Sequence, residues 1–198
     1  MNNNVTNLDK TCAEFGIDLL ELPKKLYEKA NVIIKDSSNL EDLKTKNYSW
    51  NDEENSCKDF CGYDLVNPLK NIQVRVKNDD DFNKLKDREN PLTFDSKSFE
   101  TEITKALGIL VEDGPFAYMV WLKSQDKEPH RAMLIQTARI LQKLKLIEID
   151  TTDNLKEKIE NSFLNEISSD LTKTLFTKTI LEKMLIYARY KAKAIQHE

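Results

Sequence analysis

Residues 98–146 read SFETEITKALGILVEDGPFAYMVWLKSQDKEPHRAMLIQTARILQKLKL, and this stretch decides the fold class. Phe99, Ile103, Ala106, Leu107 and Leu110 recur at i, i+4, i+7, i+8 and i+11, the inner stripe of an amphipathic helix. Ser98 is placed to cap it, and Glu100 and Glu102 suit the positive end of its dipole. Gly114 stops the helix and Pro115 suits the first position of the next, so the axis turns at Asp113-Gly114-Pro115. Phe116 to Leu122 is apolar on every side, which predicts a short helix enclosed by others at the centre of the core. A third helix, from about Glu128 to Leu146, sets Met133, Leu134, Thr137, Ala138, Ile140, Leu141 and Leu144 on one arc. Ala132, Gln136, Arg139 and Lys143 fall on the other.

On the N-terminal side, Leu8, Cys12, Phe15 and Leu19, then Leu22, Leu26, Ala30 and Ile33, keep helical spacing over about Leu8 to Lys35. Pro23 inside that pattern predicts a kink or a restart. On the C-terminal side, Leu155, Ile159, Phe163 and Ile167 predict an amphipathic helix within 150–169. A last helix from about Asp170 to Gln196 buries Leu181, Met184, Leu185, Ala188, Ala192 and Ile195, leaving Ile186, Arg189, Tyr190 and Lys193 on its far side. Residues 36–98 are less regular. Ile72, Val74 and Val76 alternate with polar residues, and Leu92-Thr93-Phe94 is read as their partner in a small ribbon, which would need a helical body behind it. The reading is all-α: a compact helical bundle over 1–198 as a single helical domain, with 36–98 an insertion of irregular or small β structure.

The chain has 198 residues, 32% of them charged, with four glycines and five prolines, a composition that suits helices joined by short turns. Its net charge of -4 sits in the first half: residues 1–98 carry 15 Lys and Arg against 19 Asp and Glu, whereas residues 99–198 carry 15 of each. The longest apolar run, Phe116 to Leu122, is far below the ~20 residues of a membrane span, and the N-terminus lacks the pattern of a secretory signal. Cys12, Cys57 and Cys61 have no disulfide-framework spacing. The expectation is a soluble, cytoplasmic chain with free thiols.

Catalytic constellations are hard to assemble from this sequence. The histidines are His130 and His197, and none of the HExxH, GxSxG, Walker or GxGxxG patterns is present. Cys57 and Cys61 lack a second ligand pair for zinc, and the runs Asp52-Glu53-Glu54 and Asp79-Asp80-Asp81 lack the EF-hand ligand order, so they read as solvated loops. No metal, no cofactor and no enzymatic activity are expected. The basic features are stronger. Pro129 to Ile147 holds Arg131, Arg139, Lys143 and Lys145 without an acid, and Lys183 to His197 adds Arg189, Lys191 and Lys193. Such stripes suit phosphate backbones, and equally suit a solvated face whose cations favour a helix C-terminus. Tyr190, beside Ile186 and flanked by Arg189 and Lys191, fits a subunit interface better than stacking on a base.

The segment FETEITKALGILVEDGPFAYMVWLKS (99–124), then ARILQKLKLI (138–147), then LEKMLIYARYKAKAI (181–195) resembles the small helical subunit of type III CRISPR effector complexes, the Cmr type more than the Csm type. The likeness rests on the Asp113-Gly114 turn, the apolar helix Ala117 to Leu122 and the closing motif Tyr187 to Ala194. It covers about half the chain, and residues 36–98 depart from it. The resemblance implies a non-catalytic protein that stacks with other copies of itself into the inner filament of a ribonucleoprotein in antiviral defence. It implies contact with the effector backbone and large subunits, with the CRISPR RNA and with the target RNA. Carried onto this chain, it assigns RNA contact to Arg131, Arg139, Lys143, Arg189 and Lys193. The rival reading is a helical protein-protein adaptor with no nucleic-acid role.

Overall fold

Gly114 is where the chain commits to its main turn, with φ at +87°, a conformation that glycine adopts without the Cβ penalty of other residues. Around it the computed structural model describes residues 7–45, 76, 78–125, 127–148 and 155–198, and every regular element among them is helical. The elements are α1 (Leu8–Asp36), a helical stretch at 40–45, α2 (Asp79–Lys86), α3 (Ser96–Glu112), α4 (Gly114–Ser124), α5 (Glu128–Lys143), α6 (Leu155–Ser162), a π-helical turn (Phe163–Ile167) and α7 (Leu171–Ile195). The all-α class holds. The chain divides into two compact units: one comprises residues up to Glu21 and from Asp95 onward, the other Leu22–Phe94. The division therefore falls within α1, next to Pro23, and not at residue 36. The helix itself is continuous through Pro23.

In the larger unit α3 is the central element, packed along α7 and against α4 and α5. Phe99, Ile103, Ala106 and Leu110 of its expected stripe are buried. Its cap differs from the sequence reading: helix begins at Ser96, Asp95 is the N-cap, and the Asp95 carboxylate accepts from the backbone N–H of Ser98 at 2.9 Å. Asp competes well at this position, and with the cap three residues earlier the orphan N–H of Ser98 itself is satisfied. Asp113 then ends α3 and precedes α4, whose second residue is Pro115.

Gly16 shows how closely α1 approaches α7. A Cβ there would lie 2.4 Å from the Met184 carbonyl oxygen and 2.8 Å from Tyr187 Cβ, so glycine is what lets the two backbones meet. Asp9, about two turns earlier, accepts from Lys183 Nζ at 2.9 Å and from the Tyr187 hydroxyl at 2.8 Å. Those two hydrogen bonds, Lys183 first, hold the Asp9 carboxyl below the usual range.

The C-terminus of α5 is a Schellman turn: Leu146 N–H donates to Leu141 O at 2.9 Å and Lys145 N–H to Gln142 O at 2.9 Å. Lys145 occupies the left-handed position, φ 56°, that glycine usually fills. Ile159, Phe163 and Ile167 are buried as their spacing predicts, with Ser168 N–H reaching back five residues to Phe163 O at 2.8 Å.

The smaller unit has its own core of Ala30, Ile34, Leu40, Leu43, Val76 and Phe82, with Leu26, Ile33, Leu85 and Leu92 packed on it. No strand occurs among the described residues, and Ile72 and Val74 lie outside them. Leu92 does not join a ribbon: its backbone N–H and C=O bond the Asn31 side-chain amide at 2.8 and 2.9 Å, so one asparagine stands in for a ladder partner. The run Asp79-Asp80-Asp81, expected as a solvated loop, is instead the first turn of α2. Asn78 caps it by accepting from Asp81 N–H at 2.9 Å, and three acids there complement the positive end of the dipole. Asp79 also accepts from the Leu40 N–H at 2.9 Å.

Candidate interaction surface

A basic helix can use its charges on a partner only if they face outward. On α5 most do not. Ala132 and Gln136, assigned by spacing to the outer arc, are fully buried, as are Met133, Thr137, Ala138, Ile140 and Leu141. Arg131 and Arg139 are half-buried. The Arg139 guanidinium sits 5.6 Å from the centre of the Phe15 ring on α1, and its Nη1 donates to Gln136 Oε1 at 3.4 Å. The two-sided wheel drawn from sequence fails because this side is packed as well: Gln136 is buried on it and Arg139 lies along Phe15 of α1. Lys143 and Lys145, at the end of the helix, are exposed.

On α7, Arg189 is half-buried, and the exposed Lys193 lies 3.7 Å from the Glu100 carboxylate of α3. Lys191 pairs with Glu21 at 2.6 Å. The five cations assigned to RNA thus sit on two helices that both pack on α3, and Arg139 and Lys193 among them are engaged within the chain.

Glu102 and His130 form a buried pair that the sequence reading did not bring together. Glu102 Oε2 lies 3.1 Å from His130 Nε2, Trp121 meets the imidazole edge-on at 4.7 Å, and Glu102 Oε1 accepts from Lys105 at 3.0 Å and Lys127 at 3.4 Å. Burial pushes the His130 pKa down and outweighs the attraction of Glu102, so the ring is neutral in the folded chain at pH 7. Burial also pushes the Glu102 carboxyl up, but Lys105, Lys127 and His130 outweigh it and hold the pKa below the ordinary value. The sequence signal was Glu102 standing next to Ile103 on the inner stripe, where an acid needs a buried partner. Among the described residues no group of three or more His, Cys, Asp or Glu side chains is arranged to hold a metal ion. Cys12 is buried, and Cys57 and Cys61 lie outside the described residues.

The apolar surface lies elsewhere. The helix α4 is not enclosed: Tyr118, Met119 and Leu122 are buried, but Phe116 and Val120, one turn apart, are 42% and 47% exposed. Phe116 forms one wall of an open-sided cavity of about 470 Å³, with the Asp113-Gly114-Pro115 turn at its edge, Leu164 and Ser168 from the π-turn region, and Thr174, Leu175 and Lys178 from α7. The Lys178 ammonium at this rim donates to Val111 O at 2.8 Å and lies 3.8 Å from Glu182.

Along α7 the buried residues Thr177, Ile180, Leu181, Met184, Leu185, Ala188 and Ala192 fill one side. Phe176 is 40% exposed to one side, and Leu171, Leu175, Ile186 and Tyr190 are exposed as well, Leu171 at 74% and Tyr190 at 66%. At 3.6 residues per turn these four fall within an arc of about 100° and span about 28 Å of helix. Ile186 and Tyr190, singled out as interface residues, are therefore accessible, and Leu171 and Leu175 extend their face to the cavity. Periodicity alone missed the extension, because Leu171 and Leu175 lie ahead of the residues that define the buried stripe. No helix among the described residues is long and apolar enough to cross a membrane. Comparison with known proteins finds no matching family model, no matching curated protein and no matching solved structure.

Proposed function

We propose that the chain is a non-catalytic helical subunit of a larger assembly, joined to copies of itself and to other chains through the open face of α7. The observation that carries this is the run of exposed apolar side chains Leu171, Leu175, Ile186 and Tyr190 continuing into the cavity beside Phe116. Exposed apolar side chains gathered on one helix face in this way mark contact sites. The test is light scattering of the purified chain across a concentration series, with Ile186→Glu/Tyr190→Glu beside it. The wild-type mass should rise above one chain and the variant should remain monomeric. Equal masses for both at every concentration would overturn the reading.

The type III CRISPR small subunit is the particular assembly to which the motif resemblance points, with a cytoplasmic location and an RNA-guided partner set. Support for its RNA contact comes from the exposed cations Lys143 and Lys145 at the end of α5, while Arg131, Arg139 and Arg189 would act from half-buried positions. Filter binding of RNA across a salt series tests it: phosphate contacts lose affinity steeply with salt. Absence of binding at low salt by the assembled protein would remove the nucleic-acid role and leave the protein-protein adaptor.

A further inference from the structure

His130 is 1% exposed, and its Nδ1 is buried without a hydrogen-bond partner in the chain. Its other ring nitrogen, Nε2, lies 3.1 Å from Glu102 Oε2. With Glu102 ionised, Nε2 carries the proton and donates, so the neutral ring leaves only a lone pair idle at Nδ1. A proton added there would create a buried N–H with nothing to receive it, and on a charged group that omission costs more than an idle lone pair. The ring fits its site in one protonation state only.

The surrounding charges point the same way. Glu102 Oε1 already accepts from Lys105 at 3.0 Å and from Lys127 at 3.4 Å, so one carboxylate faces two ammonium groups before any imidazolium is added. His130 is also the third residue of α5, beside the positive end of its dipole. Within the turn it is flanked by Glu128 and Arg131, of opposite sign, and from α4 it meets the uncharged indole of Trp121 at 4.7 Å.

The turn that carries His130 is the part of α5 most easily released. Its N-cap, Lys127, supplies no side-chain hydrogen bond, Pro129 has no N–H, and the backbone is extended at Gln125 and Lys127 ahead of it. Beyond the turn, every residue from Ala132 to Ala138 is buried and holds the helix in place. We propose that the first turn of α5, Glu128 to Arg131, is an acid-sensitive latch: protonation of His130 releases the turn from Glu102 into water and uncovers Trp121, while the rest of α5 stays packed. Opening hydrates Nδ1 and parts Lys127 from Glu102, which relieves both costs together. Burial, the largest influence on the His130 pKa, lowers it in the closed turn, so the latch holds above the ordinary value of about 6.5 and loosens as pH falls below it. Glu102, also held low, keeps its charge as that window opens. The latch is independent of the assembly reading above.

The test uses the full chain carrying Trp50→Phe, which leaves Trp121 as its single indole. Acrylamide quenching of the Trp121 emission should rise about twofold between about pH 7.5 and 5.0 with far-UV circular dichroism unchanged, as a local opening requires. By NMR the His130 ring, told apart from His197 by substitution, should titrate below about 6.5 with the same midpoint as the quenching. His130→Gln, which keeps a polar side chain and cannot titrate, should hold the quenching flat; if that variant does not fold, the match of the two midpoints decides. Quenching that stays flat until helical signal is lost overturns the latch, whether or not His130 takes up a proton. A transition that persists in folded His130→Gln, or whose midpoint differs from that of the ring, overturns it as well.

Discussion

Helices α5 and α7 look alike as sequence: each is rich in Ala, Leu and Lys or Arg, and each has a long stretch without acid. Their surroundings differ. Eleven of the sixteen residues of α5 are buried, and its Arg139 lies along Phe15, whereas α7 buries one side and leaves apolar residues open on the other. Charge pattern alone therefore does not identify a binding helix. What separates the two is whether the second side is covered, and on α5 the buried Gln136 and the stacking of Arg139 on Phe15 show that it is.

The sharpest test of the buried side of α7 is Gly16→Ala. The new methyl would press on the Met184 carbonyl, which is backbone and cannot swing aside, so unfolding in urea should show a loss of about 3 kcal/mol, the upper end for overpacking. A loss under about 0.5 kcal/mol, within the range of ordinary surface changes, would mean that α1 and α7 are not in close contact.

The α4–α5 side can be probed by pH. His130 has a depressed pKa in the folded chain, so the unfolded chain binds more protons as pH falls through about 6.5, and stability must fall with it. Glu102, also depressed, adds a loss in the same direction at lower pH, as its carboxylate is protonated. Melting temperature should drop between pH 7.5 and 5.5, and His130→Leu should flatten that slope even if it lowers stability at pH 7.5. A slope unchanged by the substitution would place the titrating group elsewhere.

Smaller effects distinguish the cations of α5. Arg139→Ala removes the contact with Phe15 and the bond to Gln136 and should cost about 1 kcal/mol, whereas Lys143→Ala should stay within about 0.5 kcal/mol. Equal costs would break the distinction between inward and outward charges on this helix. Lys145→Gly should stabilise by about 1 kcal/mol, since it relieves a side chain held in the left-handed region at an exposed Schellman turn.

Much of this architecture was legible in the sequence, and the failures share a cause. The stripe of α3, the Gly114 turn, the Ile159-Phe163-Ile167 series and the buried side of α7 all follow from spacing, because each element has one packed side and the apolar period marks it. Spacing does not say how many sides are packed. It therefore opened α5, whose Gln136 is buried, and closed α4, whose Phe116 and Val120 are not. Leu92 resembled a strand because extended backbone is what its neighbours favour, but its partner is the Asn31 amide, which no local pattern announces. The cavity joins the Gly114 turn, the π-helical region and α7, three segments separated in sequence, so its existence could be read only from the fold.

The difference between the two helices can be measured in one experiment on the unmodified chain, hydroxyl-radical footprinting at low and high protein concentration. The account predicts that Leu171, Leu175, Ile186 and Tyr190 label strongly when dilute and lose labelling several-fold together on concentration, while Met133 and Leu141 of α5 stay weakly labelled throughout. Labelling of the α7 face that does not change with concentration, or strong labelling of α5, would contradict it.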